Sequence, residues 1–359
     1  MSSVPSIKNY HDGTTFRGIL SDLLRRNPAA RFADLGRELL TLAGGHVPEN
    51  DYDVCRTMTS NAAMGDAISS AAGSTLITGA EREPDTTLSW THEKSAENFK
   101  ENELFGLATG GRLELQPRGG IATEADYELV KNTYRLGRFT TKIEVDEQDM
   151  IDSDRPLNAV MMAVEQKGAE AQRVRSDLVY SLVHENPAMA YDSVALFHSD
   201  HSNLGTAVLG TAGLATVMGS IGNQVLSDEE GDSVHVNNSG RFLIVPPDLE
   251  EPARRLVRNV NLGDSSDIKV LKESRLGAAG LVDPRTDDIR TGTTTNWMMA
   301  GASHARPSIV VLALNGNFRP RLTRYALDRG RWGFGWNIKL DLAVVAVDHQ
   351  PLYFSDGTV

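Results

Sequence analysis

The sequence predicts a mixed α+β fold, and three observations carry that reading. Apolar and small residues recur every three or four positions from Leu157 to Leu182, which is the period of one helical face. Apolar and polar residues alternate across 86–145 and again across 321–347, the period of strands with one covered face. Between these regions, short apolar runs at 241–245, 268–271 and 309–314 are interspersed with helical stretches, with no fixed repeat.

Taken in order, residues 1–50 predict two short amphipathic helices, about Phe16–Arg26 and Phe32–Leu42, separated by Asn27-Pro28 and closed by Gly44-Gly45. Residues 57–80 are rich in Ser, Thr, Ala and Gly, with a weak helical pattern at Met64, Ile68 and Ala71; they predict a short helix docked through its small residues. From 86 to 145, Leu88, Trp90 and His92 point one way, and 112–116, 127–130 and 138–145 alternate. Gly110-Gly111 and Pro117-Arg118-Gly119-Gly120 supply turn chemistry between them. The expectation is a long hairpin, which alone buries too little surface to be stable and needs a partner.

The long helix follows. Asp152, Ser153 and Asp154 offer capping oxygens ahead of Pro156, a residue suited to a first helical turn, and Asn186-Pro187 ends the helix. The span from Pro156 to about His184 is roughly 40 Å at about 1.5 Å per residue. Its apolar stripe is small at Gly168, Ala169 and Ala171, so something packs closely there. Residues 205–225 predict a loop and a small-residue helix, 241–245 a strand, Pro246-Pro247-Asp248 a turn, and 249–259 a helix. The alternation of Tyr325, Trp332, Phe334, Trp336, Ile338, Leu340, Leu342 and Val344 predicts antiparallel sheet.

Composition bounds the class. With 359 residues, 40% of them hydrophobic, the chain has ample material for a buried core. It lacks a run of about 18 apolar residues and a signal-peptide layout, so no membrane partner is expected and the product stays in the cell that makes it. A single cysteine, Cys55, rules out an intrachain disulfide framework and is expected to be a small buried apolar residue. The formal net charge of -12 argues against a surface built to grip nucleic acid. Arg17, Arg25, Arg26, Arg31 and Arg37, interrupted by Asp22, Asp34 and Glu38, leave local contact or a solvated helix face open.

The chemistry-bearing candidates are few. His198, Asp200 and His201 fall within four residues, which suits either a metal or acid-base site, or a hydrogen-bonded turn with Asn203 that fixes the chain leaving the helix. No Walker loop, dinucleotide fingerprint, nucleophile elbow or HExxH motif is present. Arg118-Gly119-Gly120 has no helix start behind it and reads as a turn tip. The acidic run Asp146, Glu147, Asp149, Asp152 and Asp154 suits a helix N-terminus and requires no catalytic role. No catalytic residue, cofactor or metal is expected.

With these residues read, the chain resembles the major capsid (major head) proteins of tailed bacteriophages, most closely the Mu-like T subunit family, with the Hong Kong 97 type fold. The matching motifs are Asn98-Phe99-Lys100, Met150-Ile151-Asp152-Ser153-Asp154, Leu196-Phe197-His198-Ser199-Asp200-His201-Ser202-Asn203-Leu204, and Phe242 through Leu249. Leu314-Asn315-Gly316, Pro320 and Val347-Asp348 also match, and the resemblance covers about 57–357.

The resemblance implies an N-terminal arm at 1–56, a connecting P-domain segment at 57–85 and an extended E-loop hairpin at 86–145. It further implies a P-domain spine helix at 146–189, a mixed α/β A-domain at 190–315, and a returning P-domain sheet with the C-terminus at 316–359. The helix's small-residue stripe is then where the subunit's own sheet should pack.

The implied function is a structural shell subunit, not an enzyme, assembling into hexamers and pentamers of itself around double-stranded DNA that it touches weakly and non-specifically. The implied partners are a scaffold and maturation protease on other chains, a portal and a decoration protein. The location is the virion, with assembly in the host cytoplasm. The assembly candidates are Pro117, Arg118, Gly119, Gly120, Gly168, Ala171, His198, Asp200, His201 and Asn203. Two alternatives remain: an encapsulin-like nanocompartment shell of the same fold, and a metal-dependent enzyme built on His198, Asp200 and His201.

Overall fold

In a computed structural model, the protein is described at residues 32–42, 47–51, 53–54, 62–107, 115–116, 118–120, 129–146, 148, 157–227, 233–235, 238–261, 268–302, 307–327, 331 and 333–358. The first elements along the chain are α1 (Phe32–Leu42), α2 (Ala62–Arg82), β1 (His92–Ala96), β2 (Asn102–Leu107), β3 (Leu129–Tyr134), β4 (Gly137–Asp146) and α3 (Leu157–Glu185). Next come β5 (Leu204–Gly205), α4 (Thr211–Gly222), β6 (Val225–Ser227), β7 (Ser233–His235), β8 (Gly240–Val245) and α5 (Glu250–Asn261). The chain continues with β9 (Lys269–Lys272), β10 (Leu281–Val282), β11 (Ile289–Arg290) and β12 (Trp297–Gly301). It closes with β13 (Ile309–Leu314), β14 (Arg321–Ala326), β15 (Gly333–Ala346) and β16 (Leu352–Ser355). The class is α+β, with the long helix and antiparallel sheet that the sequence predicts.

The chain divides into two compact units, each built from three segments. The first holds Met1–Pro84, Arg138–Arg173 and Phe318–Leu340. Its core joins Leu35, Leu39 and Leu40 of α1, Ile68, Ala72 and Leu76 of α2, Val160, Met161 and Val164 of α3, and Phe334, Trp336 and Ile338 of β15. In this unit the opening half of β15 pairs antiparallel with β14, from Arg321 opposite Lys339 to Ala326 opposite Phe334, and β4 also pairs with β15.

The second unit holds Asp85–Gly137, Val174–Asn317 and Asp341–Val359. Its main sheet runs β5-β16-β12-β8-β9, and α4 and α5 cover one face through Leu214, Val217, Ile221, Ala253 and Val257. β12 reads buried at every position, as expected for a strand in the middle of such a sheet. The closing half of β15 pairs antiparallel with β13, and β13 takes β1 in parallel on its other side. β2 and β3 form a separate antiparallel pair. Among the described residues, no helix is long and apolar enough to cross a membrane.

Three expectations change. The hairpin predicted over 86–145 is narrower: β2 and β3 pair from Asn102 opposite Tyr134 to Leu107 opposite Leu129, whereas β1 joins β13 and β4 joins β15. Period alone does not assign a strand its neighbour, because any sheet that covers one face leaves the same alternation. Residues 62–82 form a 21-residue helix, much longer than the short one expected. The small-residue stripe of α3 meets this helix at Gly168, where the absent Cβ lets the two backbones approach. The predicted helix at 16–26, Cys55, the capping group 152–154 and Pro117 lie outside the described residues.

Candidate functional site

The assembly candidates fall into three groups by their contacts, beginning with the crossing of α2 and α3 in the first unit. A Cβ on Gly168 would sit 2.1 Å from the Leu76 carbonyl oxygen, and one on Gly79 would sit 2.0 Å from that of Glu165. Only residues without a Cβ let two helical backbones come this close. Glu165 also pairs with Arg82, and Arg173 donates to Glu83 at 2.7 and 3.1 Å, which ties the helices on their wet side. Ala171 is half-buried. Gly79, the counterpart of Gly168, was missed; its only signal was the small-residue composition of 57–80.

While Val160, Met161 and Val164 point into the core, α3 carries a second apolar stripe outward. Ala159, Met162, Ala163 and Ala169 line an open groove of about 580 Å³ with Gly79, Arg82, Glu165 and Gln166. Met162 is 63% exposed there. An unbranched thioether beside small residues makes a surface that can accommodate an irregular partner.

The second group is the turn after α3, in the second unit. Asn186 ends the helix with φ of 48°, a conformation Asn tolerates, and its side chain exchanges two hydrogen bonds with the Phe197 backbone at 2.7 and 3.0 Å. Asn203, fully buried, accepts from the His198 N–H at 2.9 Å and donates to the Leu196 carbonyl at 2.7 Å. One amide side chain thereby ties the end of the His198–Asn203 loop back to its start.

His201 turns inward. Its Nε2 lies 2.7 Å from Asp192 Oδ2, and its ring stacks on His349 with centroids 4.1 Å apart and planes 6° from parallel. The Tyr191 hydroxyl bonds His349 Nδ1 in turn. His198 and Asp200 stay on the outer rim, where the Asp200 N–H donates to His198 Nδ1 at 3.2 Å. The two histidines thus serve different neighbours, and among the described residues no three His, Cys, Asp or Glu side chains gather at metal-holding distance. Of the two sequence readings, the hydrogen-bonded turn is the one whose bonds are present. Asp192 and His349, which hold His201, were not foreseen, since His349 lies 148 residues further on.

The third group is the hairpin. Gly119 adopts a φ of +83°, and exposed Arg118 and Gly119 form a turn across which the Gln116 amide bonds the Gly120 carbonyl. Leu115 beside it is 96% exposed, and Phe105 on β2 is half exposed with the Lys131 ammonium over its ring at 5.8 Å. Among the described residues β2 and β3 pair only with each other. One face is covered, since Leu104 and Tyr134 pack against Ala96, Leu136 and Leu312.

Buried charge anchors the C-terminal half of α3 within the second unit. Arg175 lies 3.3 Å from Asp85, both nearly fully buried, and also bonds Glu93, Thr87 and Thr91. One turn and a half later Ser181 donates to buried Asp283 at 2.5 Å, and Arg285 bridges Asp283 and Glu185 at 2.9 and 2.7 Å. Burial pushes the Asp283 carboxyl up, but bonds from the Arg285 side chain, Ser181 and the Arg285 N–H outweigh it and hold the pKa at about 2. In the first unit, bonds from Lys142, Tyr325 and Arg331 likewise lower Glu144 to about 2.

A family model described as phage capsid protein matches residues 130–354. No curated protein sequence matches the chain. Among solved structures, the capsid of cyanophage P-SCSP1u is similar at 7% identity over 76% of this chain and 88% of that one, with a TM-score of 0.49. The procapsid of bacteriophage JBD30 gives 13% identity, 82% and 75% coverage, and a TM-score of 0.47. The holo-SrpI encapsulin complex from Synechococcus elongatus PCC 7942 gives 10%, 74% and 85%, and 0.43.

Proposed function

The chain belongs to the phage capsid protein family, and on that premise we propose that it is the major subunit of a tailed-phage head with the Hong Kong 97 type fold, Mu-like in kind, enclosing double-stranded DNA. That the protein is a structural shell subunit, acting in the virion capsid and assembling with copies of itself, follows from the family. The match over 130–354 is the observation that carries the reading.

The finer assignments are these. The hairpin within 86–145 acts as the E-loop, 57–85 and 146–189 with the sheet at 316–340 as the P-domain, and 190–315 as the A-domain, whose sheet takes in β16 from the closing residues, 341–359. The hairpin of one copy lies on a neighbour and buries there the apolar side chains, Phe105 and Leu115, that it leaves in water by itself. The outward stripe of α3, with Met162 at its centre, is the receiving surface. Arg118, Gly119 and Gly120 shape the tip, Gly168 and Ala171 set the helix crossing, and the His198–Asn203 turn fixes the chain as it leaves the spine helix.

Scaffold, maturation protease, portal and decoration protein are separate chains, and assembly takes place in the host cytoplasm. The subunit has no catalytic function. Its net charge of -12 suits a wall that must not hold packaged DNA tightly, because phosphate neutralisation by many cations would do so.

Negative-stain microscopy and light scattering of the expressed protein test this, with its scaffold supplied. Closed shells are expected; a chain that stays monomeric under all such conditions overturns the reading. Deleting 117–120 should leave a folded subunit that assembles poorly, and an undiminished shell yield would remove the hairpin from the account.

A further inference from the structure

We draw no further inference here: the strongest candidate, the exposed cross-strand pair Val282 and Ile289 on the β10–β11 hairpin that Ser181, Glu185 and Arg285 hold in place, is an apolar surface patch, and nothing in the structure shows what covers it.

Discussion

Replacing Gly168 by alanine sets helix propensity against packing, and the structure says which prevails. Alanine favours a helix interior over glycine by about 1 kcal/mol, so from sequence alone the substitution should stabilise. At this position, however, the added Cβ would lie 2.1 Å from the Leu76 carbonyl oxygen and 3.0 Å from the Ala80 nitrogen. Both obstacles are backbone, so no rotamer change relieves them. The helices must part by about 1 Å, loosening Ile68, Ala72 and Leu76 from Val160, Met161 and Val164 across a core that tolerates little change in volume.

Overpacking of this kind costs about 3 kcal/mol at the upper end of its usual range, which leaves a net loss of about 2 kcal/mol after the propensity gain. Gly73 supplies the control in the same pair of helices. A Cβ there meets nothing within 4 Å, so Gly73→Ala should gain about 0.5–1 kcal/mol. Urea unfolding of the unassembled full-length chain, followed by circular dichroism and by the fluorescence of its tryptophans, of which Trp336 lies in this core, measures both variants on one scale. The expected order is Gly73→Ala, wild type, Gly168→Ala, with unchanged m-values. A Gly168→Ala protein as stable as wild type would show that α2 and α3 do not approach through their glycines.

Other perturbations read other parts of the molecule. Arg175→Met should cost about 3 kcal/mol, because it strands the buried Asp85 carboxylate; a loss below about 1 kcal/mol in the same urea assay would mean that solvent reaches that pair. Asn203→Ala removes two buried hydrogen bonds and leaves the His198 N–H without its acceptor, at a cost of about 2 kcal/mol. Hydrogen exchange at the His198 amide should accelerate, and unchanged protection would refute the closure of the turn by Asn203. Asp283 has a folded pKa depressed from the ordinary 3.8 to about 2, so its contribution is present above pH 4 and is lost as pH falls toward 2. That drop corresponds to about 2 kcal/mol, and wild type should lose this much more stability than Asp283→Asn between pH 4.5 and 2. Parallel pH profiles for the two proteins would refute the assignment.

Much of the fold is legible in the sequence where the signal is local. The α3 helix extends over Leu157–Glu185 against a prediction of 156 to about 184, α1 and β13 match their predicted spans, and α5 and β8 differ by a residue or two. Each has a period or a boundary residue of its own, such as the Asn186-Pro187 stop. The strands of 86–145 were harder. Alternation signalled extended chain at 138–145, but at Leu88–Trp90 it misled, since the chain there turns with the Trp90 and Thr91 N–H groups donating to the Thr87 carbonyl. β1 and β4 found partners more than 180 residues away, at Val310 and in β15, and nothing in either strand names them.

The candidate site divides along the same line. The small stripe at Gly168 and Ala171 announced a close approach, and only the fold supplied Gly79 of α2 as the counterpart. The block from Leu196 to Leu204 announced itself by its histidines, while its meaning depends on Asn186, Asp192 and His349, which no spacing rule connects to it. What the sequence determined by itself is the helices and strands with a period or boundary of their own, such as α1, α3, α5, β8 and β13, the compositional limits on chemistry, and a family resemblance that the match over 130–354 bears out at the level of phage capsid proteins. Which strands pair, which glycines meet and which way His201 points were decided only by the tertiary structure. Helix and strand periods arise within a few residues, whereas these contacts are chosen by the burial of surfaces that lie far apart in the chain.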